Sequence, residues 1–106
     1  MSAQSETPIL DLLERMTADS LQASSLDDRT LMLVRIAALV AVDAPPASYL
    51  LNLGAAGEVG VDEEQVRGVL AAVAPVVGTP RVGAAAGNIA QALGLALELA
   101  ELEAER

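Results

Sequence analysis

LDDRTLMLVRIAALVAVDAPPASYLLNLGAAGEVG, residues Leu26 to Gly60, breaks at one place only, and that break decides the fold. Before it, Leu31 to Val42 carries a single charge, Arg35, and has the length and composition of a helix apolar on nearly every side. The Asp27 and Asp28 carboxylates suit its N-terminus, where unpaired backbone N–H groups and the helix dipole favour negative charge. Pro45 and Pro46 cannot continue it, and Pro46 suits the first turn of a second helix. That second helix narrows through Gly54, Ala55, Ala56 and Gly57 and stops at Gly60, which suits a left-handed turn.

Working outward, Asp62-Glu63-Glu64-Gln65 reads as an N-cap with a capping-box partner three residues on. Val66, Val69, Leu70, Val73 and Val77 then recur at helical spacing, with Pro75 expected to kink or end the element near Val73. Gly78-Thr79-Pro80 reads as a stop and a new start, with Thr79 as N-cap. The last helix runs from Pro80 towards Ala104, and the acidic tail Glu98 to Glu105 is expected to fray at the negative end of the dipole. Upstream, Thr7-Pro8 opens a first helix with Ile9, Leu10, Leu13 and Met16 in one stripe, and small polar residues end it around Gln22 to Ser25. Its plain reading is a packing helix, its sharper one a lid or swapped arm. These signals describe an all-α fold of about five helices without strands. The expected organisation is one domain over residues 1–106: an N-terminal helix over 1–25, a core over 26–95 and an acidic helical tail over 96–106.

Composition bounds the function. Of the 106 residues, 53% are hydrophobic, yet there is no Phe or Trp and only one Tyr. A core of Leu, Val, Ile, Met and Ala buries little area per side chain, so the apolar surplus points to a homo-oligomer. The formal charge of −9 opposes binding to phosphate backbones, so nucleic acid is not expected as a partner. The chain has no Cys and no His, which removes disulfides, thiolates, imidazole shuttles and the commonest metal ligands. No metal or other cofactor is expected. MSAQSETPIL lacks a basic n-region and an apolar h-region, so the expected location is cytoplasmic. The charge-free run Val82 to Leu97 would span only about 24 Å as a helix and reads as a buried element, not a membrane span.

Several polar residues stand out against this background. Arg35, if buried, needs a carboxylate partner or a cavity where it could hold an anion. Ser48 and Asn52 are four apart and share one helix face, while Tyr49 points elsewhere. Asp43 reads more readily as a capping residue than as a catalytic base, and Ser48 as a first-turn helix residue. Gly83, Gly87 and Ala90 share a face, and glycine costs about 1 kcal/mol inside a helix, so close backbone approach is expected there.

The order of these features resembles the carboxymuconolactone decarboxylase family, whose relatives include alkyl hydroperoxidase D-like proteins. The resemblance runs from about residue 26 to 95. It rests on the apolar helix, the Ala/Gly-rich run Leu53 to Gly60, the Asp-Glu-Glu helix start and the junction Ala74-Pro75-Val76-Val77-Gly78-Thr79-Pro80-Arg81. It implies an all-helical fold assembled as a trimer or hexamer, with a dimer as fallback. Redox members of the family carry Cys-x-x-Cys-x-x-x-His at the start of the second helix and a glutamate on the helix before. Those positions correspond here to Pro45, Ser48 and Asn52, and the glutamate falls near Leu33. The resemblance therefore implies a non-redox member with a degenerate site, acting in small-molecule binding or assembly. Arg35, Asp43, Ser48, Tyr49 and Asn52 form the candidate pocket. The alternatives are a lyase or hydrolase on an organic acid or lactone, with Arg35 holding a carboxylate, and an interaction module without a pocket.

Overall fold

A computed structural model describes residues 6–105, and these form five helices with no strand among them. They are α1 (Pro8–Ala23), α2 (Asp28–Ala41), α3 (Pro46–Glu58), α4 (Glu63–Val77) and α5 (Thr79–Ala104).

Local chemistry sets most of the boundaries. The Asp27 carboxylate caps α2 by accepting from the Thr30 N–H at 2.8 Å. At α4 the capping box is complete: Asp62 accepts from the Gln65 N–H at 2.9 Å, and the Gln65 side chain accepts from the Asp62 N–H at 3.0 Å. Gly60, at φ +88, ends α3 in a Schellman turn. The Val61 N–H reaches the Ala56 carbonyl at 2.9 Å, and the Gly60 N–H reaches Gly57 at 3.2 Å. Val61 and Ala56 are both buried and supply the apolar contact of that motif.

Two boundaries differ from the sequence reading. Pro75 does not end α4, which continues to Val77. A proline two residues from a helix end removes one backbone hydrogen bond and leaves the short remainder room to continue. Gly78, not Thr79, is the N-cap of α5, because the junction needs φ +89, which a β-branched threonine does not adopt. The acidic tail stays helical through Ala104.

The core forms around α2, which packs on α3, α4 and α5. Leu31, Met32 and Ile36 of α2 meet Ala56, Val61 and Val69. Further along, Val40 and Ala44 meet Tyr49, Ala85 and Ala92, and Leu53 touches both groups.

Beyond this core the molecule is open. A monomer of 10.8 kDa is expected to expose about 5,500 Å²; this chain exposes 7573 Å². Its radius of gyration is 15.6 Å, against about 13 Å for a compact domain of this length.

Two elements account for much of the difference. None of the residues of α1 is buried, so the packing-helix reading fails within one chain. Expected as a buried helix, α5 buries only Ala85 and Ala92. By length and composition alone it could cross a membrane, and 11% of its most apolar window is buried. The glycine expectation fails for the same reason: Gly83, Gly87 and Gly94 face open space, with nothing within 4 Å of where a Cβ would stand.

Candidate functional site

The turn between α2 and α3 carries two of the residues singled out from sequence, Asp43 and Pro45. Asp43 stands there at φ +55, the one left-handed residue other than glycine among those described. Its backbone makes the C-terminal cap of α2. The Asp43 N–H donates to Val40 at 3.2 Å and the Ala44 N–H to Leu39 at 3.0 Å, a second Schellman turn with aspartate in the glycine place. Its carboxylate is exposed. Pro45 follows as the N-cap of α3, with extended backbone and no side-chain cap.

On α3, Ser48 and Asn52 do share a face, and a hydrogen bond joins them. In it the Asn52 side-chain N–H donates to the Ser48 backbone carbonyl at 2.9 Å. Tyr49 points the other way, into the core, and is 0% exposed. Its hydroxyl has no hydrogen-bond partner among the described residues. Burial and, secondarily, the charge of Asp43 raise its pKa above the usual phenol value.

Arg35 is half-buried, and no carboxylate pairs with it among the described residues. It donates instead to the Ser20 Oγ of α1 at 3.1 Å. The ion pair expected for it is absent because α2 leaves that flank open, so the guanidinium meets solvent and α1, not a closed interior. The described ion pair lies elsewhere, between Arg67 and Glu63 on exposed α4 at 2.5 Å.

An apolar cleft between α3, α4 and α5 lies away from these residues. It measures about 250 Å³ and is lined by Leu53, Ala56, Val61, Val66, Ile89 and Leu93, with Asp62 and Glu63 among its walls. Neither Arg35, Asp43, Ser48, Tyr49 nor Asn52 lines it.

Three side chains missed in the sequence hold the frame of the site. Arg81 donates to the Ala41 carbonyl at 2.6 Å, Asn88 to Ala44 at 3.2 Å, and Arg29 to Gly60 at 2.9 Å. Arg29 had one local signal: a cation in the first turn of a helix opposes the dipole and calls for a partner elsewhere. Arg81 and Asn88 had none, since their partners lie 40 and 44 positions away.

The fold is thus that of an all-helical protein whose α2–α3 turn is held by backbone caps. The family model of the carboxymuconolactone decarboxylase family matches residues 8–92. The chain belongs to that family. The match takes in α1 and ends at Ala92, within α5. No curated protein and no solved structure matches the chain.

Proposed function

We propose that the chain is a non-redox member of the family that works as a homo-oligomer, in assembly and in binding a small apolar molecule. What stands at the redox positions carries this reading. Peroxide reduction through a disulfide needs a thiolate, and catalysis near neutral pH most often uses an imidazole. Here Pro45 serves as a helix N-cap, and Asn52, an amide with no basicity, donates to its own helix. Ser48 has no basic side chain bonded to it among the described contacts. Asp43 has a backbone task at the end of α2. These groups do not make the acid–base pair that a lactone enzyme would need.

Self-assembly is supported by the surface the chain leaves open, about 2,000 Å² more than a monomer of its mass exposes. A ligand site is supported by the cleft at Leu53, Val66 and Ile89. Asp62 and Glu63 in its walls repel anions, so an uncharged apolar compound suits it better than a small organic acid.

The catalytic half of the reading is tested by following consumption of an organic hydroperoxide with a thiol reductant present. Decay at the buffer rate is expected. Turnover that scales with protein and survives metal removal would overturn it.

A further inference from the structure

An isolated helix of sixteen residues is marginal in water, so something must hold α1 in shape. Its own chain does little of this. Ile9 is 72% and Met16 57% exposed, and Leu10, Leu12, Leu13 and Leu21 are exposed as well. The side chain of Ser20 ties α1 to Arg35. Between α1 and α3 lies a groove of about 520 Å³, faced by Leu10, Leu13, Glu14, Thr17 and Leu21 on one side and Leu51 on the other. Leu51 is itself 76% exposed.

We infer that α1 is an assembly arm: the α1 of a second copy lies along this groove, so that two arms and two Leu51 side chains cover one another. Three observations select a second copy as the occupant. The groove is lined mainly by the arm's own apolar residues, so a two-fold arrangement supplies the same leucines from both sides. The surplus surface is large enough, since a standard interface takes only about 800 Å² from each partner. The arm sets Asp11, Glu14 and Asp19 against Arg15 alone, a charge that suits anionic lipid headgroups poorly. This inference rests on the self-assembly proposed above and assigns it to one element. The remaining surplus leaves room for a second interface, as a trimer or hexamer requires.

The test compares the wild type with Leu13→Glu/Leu21→Glu by light scattering after gel filtration, at concentrations where the wild type is oligomeric. Neither residue belongs to the core of its own chain, so the charges cost a single copy little. The variant is expected to fall to half the wild-type mass or less, keep a cooperative melt and lose the helical signal of α1. Because the chain has no cysteine, a lone Thr17→Cys, in the groove itself, can bridge only between copies. Mild oxidant is expected to give a covalent dimer, while Glu64→Cys, on the exposed side of α4, stays unbridged. Should the double variant fail to fold, the cysteine experiment decides alone. An oligomeric wild type whose double variant keeps its mass, with Thr17→Cys unbridged, overturns the arm and leaves assembly through another face. A monomeric wild type overturns both readings, whether α1 then closes over its own Leu51 or carries the chain onto phosphatidylcholine vesicles.

Discussion

Arg81, the third residue of α5, donates a hydrogen bond to the carbonyl of Ala41, the last residue of α2, at 2.6 Å. The bond places a cation at the negative end of α2 and satisfies a carbonyl that has no partner within its own helix. With Asn88 on Ala44, it fixes α5 against the turn that carries Asp43 and Pro45.

Arg81→Met keeps the apolar stem and removes the donor. Loss of a hydrogen bond from a charged group should cost about 1–2 kcal/mol, at the low end because the site is exposed. Urea unfolding monitored by circular dichroism checks it, and an unchanged midpoint would mean that the bond contributes nothing in solution.

Tyr49 buries a hydroxyl without a partner among the described residues, so Tyr49→Phe should raise stability by about 1 kcal/mol or more. The pH dependence has a definite sign. The phenol pKa is raised in the folded chain, so the folded state holds its proton more tightly than the unfolded one. That contribution is fully present below the ordinary phenol range near 10 and is lost as pH rises through the higher folded value. Wild-type melting temperature should therefore fall faster than that of Tyr49→Phe above about pH 10. Parallel curves would contradict the assignment.

Asp43→Gly relieves a left-handed residue at the end of α2 and removes a carboxylate from the negative pole of the helix dipole. A gain of about 0.5–1 kcal/mol is expected, reduced by the greater freedom of glycine in the unfolded chain. The same change should bring the Tyr49 titration closer to that of a free phenol, since Asp43 charge helps to raise it. Ultraviolet titration of the single tyrosine reads this directly.

What was legible in the sequence follows the range of each interaction. Asp27, Gly60 and the Asp62–Gln65 box act within a few residues, and each stands where its pattern placed it. Ser48 and Asn52 share a face because helical spacing requires it. The partner of Arg35 was not legible, because apolarity all round α2 implied a closed interior, while the chain leaves one flank to α1 and solvent. The Gly83/Gly87 face misled for the same reason: a small-residue stripe signals close packing without saying which chain supplies the neighbour. The cleft at Leu53, Val66 and Ile89 was hidden because Asp62 and Glu63 in its walls read as a helix start and its apolar lining looks like core until the helices are placed.

Pro45 and Ser48 lie one turn apart, with the Ser48 N–H bonded to the Pro45 carbonyl at 3.0 Å. If they occupy the positions of a Cys-x-x-Cys pair, Pro45→Cys/Ser48→Cys should fold and close an intramolecular disulfide under mild oxidant. The loss of turn rigidity should cost about 1 kcal/mol or less. Thiol counting with mass spectrometry decides, and thiols that stay free or link only between copies would place the redox positions elsewhere.

The central claim is that this chain completes its surface with copies of itself. Light scattering on the wild-type protein at micromolar concentration tests it most directly. A mass of three or six times 10.8 kDa is expected, with twice that mass as the smallest assembly the account allows. A single species of 10.8 kDa with a cooperative melt would contradict it.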